Sequence, residues 1–132
     1  MIIKLNPSGD EPIYVQLRNE IVLGIGNGQL ALGQSLPTVR QLASETGINA
    51  MTVNKAYSIL KNEGFIEIDR RHGAIVSPHA DQYGEFKKKV ESELQLLITE
   101  STLKGICKEQ FLKICENLYE NLSISTWEEE SI

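Results

Sequence analysis

The fold is decided by residues 38–60, which have the sequence TVRQLASETGINAMTVNKAYSIL. Thr38 and Gln41 are spaced as a capping box, because a threonine oxygen can accept from a backbone N–H in the first helical turn while the glutamine side chain reaches back. This spacing predicts a helix that begins after Thr38 and stops near Gly47. Asn49 predicts the start of the next helix, since asparagine is favoured at helix N-caps. Two short helices joined by a tight glycine turn form a helix-turn-helix pattern.

A β-hairpin is predicted directly after the second of these helices. Residues 65–68 alternate as a half-buried strand does, and residues 74–77 form a second short strand that Pro78 ends. The intervening residues 69–73 are polar and basic and include a glycine, as a hairpin tip does. A hairpin in this place is a wing, so residues 1–78 are predicted to form a winged helix-turn-helix domain.

A helix is also predicted upstream, over residues 12–27. Its apolar side chains repeat every four residues and form one stripe, made of Ile13, Leu17, Ile21 and Ile25. Pro12 suits the first helical turn, where its missing N–H costs nothing, and Gly28 suits the C-terminal end. Gly24 and Gly26 weaken the last turn, which we expect to fray.

The remaining residues, 79–132, are predicted to form two helices. Apolar side chains recur every three or four residues on both sides of Gly105, which breaks the pattern. The short connection favours an antiparallel helical hairpin. Two helices with about 50 residues bury too little to be stable alone, so they need either the winged domain or a second copy of themselves. The apolar side chains available for either contact are Phe86, Val90, Leu94, Leu97, Phe111, Ile114, Leu118 and Leu122, which are the candidate dimerisation residues if the partner is a second copy.

Composition excludes several classes of protein. The chain has 132 residues, 23% of them charged and 41% hydrophobic, and no apolar run approaches the roughly 20 residues that cross a bilayer. The N-terminus lacks the pattern of a signal peptide, so we expect a cytoplasmic protein with no membrane partner. Cys107 and Cys115 would lie about 12 Å apart on one helix, too far for a disulfide. Because His72 and His79 are distant from them, we expect reduced cysteines, no metal and no cofactor.

The net charge of −5 is unevenly distributed. Residues 1–78 hold seven Lys or Arg and seven Asp or Glu, whereas residues 79–132 hold six and eleven. A polyanion responds to a local basic face, so the acidic total does not argue against nucleic-acid binding by the first part. The sequence contains no paired carboxylates, no nucleophile–base set and no phosphate-cradling glycine loop, so we predict that the chain is not an enzyme.

Seven short motifs follow one another in a fixed order along residues 11–77. They are PIY at 12–14, GQL at 28–30, LPTVRQLA at 36–43, TVNKAY at 52–57, LKNEGFI at 60–66, HG at 72–73 and VS at 76–77. This ordered set resembles the N-terminal DNA-binding domain of the GntR family of bacterial transcription regulators. The short C-terminal part resembles the YtrA-like branch of that family, in which a pair of helices serves for dimerisation. The C-terminal resemblance is one of architecture and has no sharp motif.

The resemblance implies a mostly α-helical homodimer with a small β-hairpin, and a function as a transcriptional regulator, in particular a repressor. Its partner is expected to be double-stranded DNA with an inverted-repeat operator. The N-terminal residues of the helix after Asn49 are expected to enter the major groove, and the wing to lie in or beside the minor groove. The candidate DNA-binding residues are Thr38, Arg40, Asn49, Thr52, Asn54, Lys55, Arg70, Arg71, His72 and Gly73.

Each candidate also has a simpler interpretation. Arg40 can bridge phosphate oxygens or grip guanine O6 and N7, but it can also be a solvated helix residue. Asn49 can read an adenine edge or only cap its helix, and Lys55 can contact phosphate or be solvated. Ala50 and Met51 stand where many relatives carry arginine or another polar residue, so no operator sequence can be carried over.

The sequence leaves two questions open. The first is the function, because a winged helix that binds another protein through the same surface is the alternative to specific DNA binding. A small-molecule effector is also uncertain, because two short helices leave little room for a pocket of roughly 300 Å³.

Overall fold

A computed structural model describes residues 3–71, 73–78 and 83–124 of the chain. Within these residues, the elements in chain order are α1 (Ile13–Gly26), α2 (Val39–Thr46), α3 (Ala50–Asn62), β1 (Ile66–Asp69), β2 (Gly73–Val76), α4 (Tyr83–Leu103) and α5 (Lys108–Glu120). Two compact units result. The first contains α1 to β2 together with Ser123 and Ile124, and the second contains α4 and α5. The predicted fold class, mostly α-helical with one small hairpin, is confirmed.

The first unit is organised around α3, which packs against α1, α2 and β1. Its core consists of aliphatic side chains from every one of its helices and strands, and burial of each contributes roughly 1.5–3 kcal/mol. The largest fully buried side chains are Leu17, Ile21, Leu42, Val53, Leu60, Ile66 and Val76. The first unit therefore has the core of an ordinary small domain.

Both ends of α1 differ slightly from the prediction. Pro12 is the N-cap rather than the first helical residue, and its carbonyl accepts from two N–H groups of the first turn at 3.1 Å. The last turn, which we expected to fray, is helical through Gly26. Gly24 is buried in this turn. A Cβ at this position would lie only 3.3 Å from Leu30 Cδ1. The glycine thus allows close packing of the following segment.

The two strands form the predicted antiparallel wing, with Asp69 opposite Gly73 at its tip. Each strand lies one residue nearer the tip than the sequence pattern predicts. Phe65 stays outside β1 because its N–H donates to the carbonyl of Leu60 and finishes α3.

The connector between α1 and α2 pairs with the wing, which the sequence did not predict. The Gln34 carbonyl accepts from the Val76 N–H at 2.8 Å, and the Leu36 N–H donates to the Ala74 carbonyl at 2.8 Å. The chain leading into α2 is therefore held along β2.

The segment after α5 belongs to the first unit. The Ser123 N–H donates to the carbonyl of Gly26 at 2.8 Å. Gly28 follows the end of α1, as predicted, with a φ of +86°. A Cβ on Gly28 would collide with the Ser123 carbonyl oxygen, so this glycine satisfies two requirements at once.

The second unit consists of α4 and α5, joined by residues 104–107. Gly105 has a φ of +95°, and the Ile106 N–H donates to the carbonyl of Ser101 at 2.9 Å to close α4. The Cys107 N–H donates to Gln110 Oε1 at 2.9 Å and opens α5. Among the described side chains of these two helices, none is buried. No helix within the described part of the chain is long and apolar enough to span a bilayer.

Candidate nucleic-acid interface

The start of α2 is fixed by the predicted capping box. Thr38 Oγ1 accepts from the Gln41 N–H at 3.0 Å, and Gln41 Oε1 accepts from the Thr38 N–H at 2.9 Å. Thr38 and Arg40 are both exposed, so the first turn of α2 presents a hydroxyl and a guanidinium to solvent.

Tyr57 anchors this turn from α3. Its hydroxyl donates to the carbonyl of Pro37 at 2.7 Å, directly before the capping box. Burial, with the negative charge of Glu45 adding to it, raises the pKa of Tyr57 well above its usual value, so the hydroxyl remains a donor. In the sequence, Tyr57 is only the last residue of the TVNKAY motif at 52–57. Its spacing along α3 could not indicate a bond to a residue twenty positions away.

The turn between α2 and α3 is tight and is held by several hydrogen bonds. Gly47 ends α2 with a φ of +75°, as predicted, and its N–H donates to the Ala43 carbonyl at 2.9 Å. Asn49 Oδ1 accepts from the Met51 N–H at 2.7 Å, so the predicted N-cap of α3 is confirmed. The capping bond uses one lone pair of the Asn49 side-chain oxygen, and the NH₂ group remains a donor.

The first two turns of α3 have one buried face and one solvent face. Val53 is fully buried, whereas Asn54 and Lys55 are exposed and Met51 is 81% exposed. Thr52 is half-buried and lines an open groove of about 780 Å³. Ile3, Leu5 and Pro7 also line this groove.

Lys55 has a neighbour that the sequence did not predict. Its ammonium nitrogen lies 3.9 Å from the centroid of the Tyr14 ring, in the first turn of α1. In the sequence, Tyr14 stands out only as part of the PIY motif at 12–14. This pair spans two elements that pack against each other, and no local spacing encodes it.

The wing tip presents the predicted basic residues. Arg70, Arg71 and Gly73 are exposed, and Gly73 has a φ of +70°. The Arg71 N–H donates to Asp69 Oδ1 at 2.7 Å, which fixes the tip backbone. His72, also predicted to contact DNA, lies outside the described residues.

In the part of the chain that the structure describes, the side-chain cations of this surface have no ion-pair partner. Within the described residues, no carboxylate oxygen lies within 4.0 Å of a side-chain nitrogen of Arg40, Lys55, Arg70 or Arg71. Arg18 of α1, by contrast, pairs with Glu63 at 2.9 Å. These four cations are therefore not neutralised by an ion pair within the described residues. They lie on elements that pack against one another, because α3 contacts both α2 and β1.

Comparison with known proteins agrees with this geometry. The family model described as bacterial regulatory proteins, gntR family, matches residues 11–76. The HTH-type transcriptional regulator YhcF of Bacillus subtilis is 30% identical over 104 residues, which cover 78% of this chain and 86% of YhcF. The HTH-type transcriptional repressor YtrA of the same organism is 37% identical over 79 residues, or 60% of this chain and 61% of YtrA.

A solved structure is similar over most of the chain. YtrA from Sulfolobus acidocaldarius, a GntR-family transcription factor, is 33% identical with a TM-score of 0.64, and the match covers 78% of this chain and 99% of that one. The resemblance to the GntR family and to its YtrA-like branch is therefore confirmed. The family model spans the whole winged helix-turn-helix, and the match to YhcF continues beyond it. The chain belongs to the gntR family of bacterial regulatory proteins, which are DNA-binding transcriptional regulators of the helix-turn-helix type.

Proposed function

We propose that the protein is a sequence-specific repressor that binds an inverted-repeat operator as a homodimer in the cytoplasm. The observation that carries this proposal is the solvent face of α3, the recognition helix. Asn54 and Lys55 are exposed on it, while Val53 and Leu60 on the other face are fully buried. A helix held by one face offers the other as a rigid surface, and a helix of this kind fits the major groove.

The contacts we infer follow from chemistry and exposure. Arg40 and Thr38 lie at the N-terminus of α2, where a phosphate is favoured by both a cation and the helix dipole. Asn54 and Lys55 would meet base edges or phosphates, and Thr52 a phosphate. Asn49 would donate from its NH₂ group, and its oxygen, which accepts one bond as the cap of α3, has a second lone pair for a base. A two-point contact with adenine would use both groups.

The wing would add contacts in the minor groove. Arg70 and Arg71 suit the negative potential of a narrow minor groove, and Gly73 allows close approach of the backbone. His72 belongs to the same proposed contact.

Dimerisation is supported by the second unit, which has helices but no buried side chain among those described. Val90 and Leu94 remain 38% exposed, and Leu118 is 63% exposed. Isolated helices of this length are marginal without an apolar partner surface. A second copy supplies one, because the same stripe on both chains is self-complementary across a two-fold axis. The proposed surface is Phe86, Val90, Leu94, Leu97, Phe111, Ile114, Leu118 and Leu122.

A two-fold dimer explains the expected operator. Two recognition helices related by a dyad bind half-sites in opposite orientation, about 34 Å or one helical turn apart. Repression would follow from occupation of a promoter. YtrA of Bacillus subtilis, a relative of this chain, is named as a transcriptional repressor, which supports this assignment. The proposal includes no cofactor and no effector.

The test is fluorescence anisotropy with a labelled duplex from the region upstream of the protein's own gene. Arg40→Ala is expected to lose about 1–3 kcal/mol of binding, or roughly five- to 150-fold in Kd. Lys104→Ala removes the same charge from the link between α4 and α5 and is expected to bind like the wild type. Each protein is titrated at several salt concentrations and against a scrambled duplex.

The alternative function is a winged helix that binds another protein. Its supporting observation is Met51, an apolar side chain that is 81% exposed at the start of α3. If the scrambled duplex competes as well as the upstream one, and selection from whole-genome fragments also enriches nothing, the protein-binding alternative replaces specific regulation.

A further inference from the structure

Tyr14 and Lys55 form a contact between two elements of the proposed interface. Tyr14 is half-buried in the first turn of α1, and Lys55 is exposed in the second turn of α3. The ammonium nitrogen lies 3.9 Å from the ring centroid, well inside the roughly 6 Å at which a cation is attracted to the face of an aromatic ring. The helices that carry the two side chains pack against each other, so the ring is held in a fixed place.

We propose that Tyr14 is a positioning residue, whose ring holds the Lys55 ammonium on the solvent face of α3 in readiness for a DNA phosphate. This inference rests on the proposed function. A free lysine side chain has four rotatable bonds and loses their freedom when it binds, so a side chain that is already ordered binds with a smaller entropic cost.

The kind of partner matters for this role. A carboxylate would also order the lysine, but it would cancel the charge that a phosphate needs. The Tyr14 ring is neutral and covers one side of the ammonium, so the remaining N–H donors stay available and the full positive charge is kept. Lys87, by contrast, pairs with Glu91 at 3.7 Å on α4.

A second lysine–aromatic contact, on α4, differs from this one in geometry and origin. Lys89 lies 5.4 Å from the centroid of the Phe86 ring, but these residues are neighbours on one turn of α4. Such a pair follows from helical spacing alone. The pair of Tyr14 and Lys55 is closer and joins helices that are distant in the sequence.

The test is a double-mutant cycle in DNA binding, with Tyr14→Leu, Lys55→Ala and the double variant measured by anisotropy over a range of salt. Lys55→Ala is expected to weaken binding and to reduce the slope of log K against log salt by about one. Tyr14→Leu is expected to weaken binding by about two- to fivefold in the wild type and to have no further effect when Lys55 is already alanine. Lys61→Ala, a lysine at the other end of the same helix, is the charge control.

Tyr14→Phe separates positioning from direct contact. It keeps the aromatic face and loses only the hydroxyl, so it is expected to bind like the wild type. Loss of binding in Tyr14→Phe would show that the hydroxyl itself contacts DNA and would overturn the proposal. The proposal would also be overturned if Tyr14→Leu weakened binding equally with and without Lys55. Thermal unfolding of every variant establishes that each is folded at the temperature of the titration.

The cycle is run in parallel on a duplex of unrelated sequence at low salt, where phosphate contacts dominate. If the coupling appears on that duplex although no operator is bound specifically, the positioning role stands and the proposed function fails. If specific binding is found but the cycle is additive, the proposed function stands and the positioning role fails. Absence of binding to any duplex overturns both.

Discussion

The two units of the molecule differ in what they do with their apolar side chains. In the first unit, aliphatic residues from three helices and two strands meet in one core, and several are completely removed from solvent. In the second, the least exposed members of the α4 stripe, Val90 and Leu94, are still 38% exposed. The first unit has completed its core within one chain. The second has apolar side chains at helical spacing, but none of its described side chains is buried.

The two units also differ in whether their basic side chains form ion pairs. The lysines of the second unit that pair do so along their own helices, as Lys113 does with Glu116 at 3.7 Å. At the candidate interface of the first unit, Arg40, Lys55, Arg70 and Arg71 have no carboxylate partner among the described residues. Under the proposed function, the first unit offers unpaired positive charge to a polyanion, and the second offers apolar surface to a second copy.

The largest expected difference is in stability. Leu60→Ala creates a cavity at a fully buried position of α3 and is expected to lower the free energy of unfolding by about 2–5 kcal/mol. Leu103→Ala, the same change at an 81% exposed position of α4, is expected to cost less than about 0.5 kcal/mol. Urea unfolding followed by far-UV circular dichroism measures both. Equal losses would contradict the division into a complete and an incomplete core.

The next effect is on assembly. Leu94→Glu places a charge in the middle of the proposed dimer surface and is expected to weaken self-association by at least about 30-fold, equivalent to 2 kcal/mol. Leu103→Glu adds the same charge to α4 outside the proposed stripe and is expected to leave association unchanged. Sedimentation equilibrium over a range of protein concentrations gives both constants. A dimer that survives Leu94→Glu would place the interface elsewhere.

A third prediction concerns the segment that follows α5. Gly28 and Gly47 both have positive φ, of 86° and 75°, so alanine at either is expected to cost about 1–2 kcal/mol in backbone strain. A Cβ on Gly47 would meet no atom within 4 Å, whereas one on Gly28 would collide with the Ser123 carbonyl. Gly28→Ala should therefore lower the thermal midpoint more than Gly47→Ala does. If the two midpoints fall equally, the contact with Ser123 contributes nothing to stability in solution.

The sequence predicted the local features of the interface because each is encoded within a few residues. Thr38 and Gln41 are three positions apart, and the cap formed by Asn49 is confined to one turn. The glycines that end α1 and α2 were predicted for the same reason, since positive φ at a helix end favours glycine whatever surrounds it.

What the sequence did not predict depends on residues far apart in the chain. The bond from Tyr57 to Pro37, the ring of Tyr14 against Lys55, and the pairing of Gln34 with Val76 each join separate elements. Periodicity indicates which side of a helix faces inward, but not which atom it meets there. The one-residue shift of the wing strands has the same origin, because a hydrogen bond to the end of α3 decides where β1 can begin.

The smallest expected effect compares one ion pair from each unit. Arg18 and Glu63 join α1 to the end of α3 with two contacts at 2.9 and 3.4 Å, and their side chains are 20% and 34% exposed. The pair on α4, between Lys87 and Glu91, has a separation of 3.7 Å and exposures of 57% and 66%. Glu63→Gln is expected to cost about 1 kcal/mol and Glu91→Gln less than about 0.5 kcal/mol.

Salt distinguishes the two pairs further, because a partly buried pair is screened less than an exposed one. Raising the ionic strength should therefore remove the small effect of Glu91→Gln and leave most of the effect of Glu63→Gln, as measured by urea unfolding at low and high salt. The Arg18 guanidinium also lies 5.3 Å from the centroid of the Phe65 ring, so it keeps one neighbour when Glu63 is changed, which limits the loss. Equal costs for the two variants would mean that the pair of Arg18 and Glu63 stabilises the protein no more than the exposed pair on α4 does.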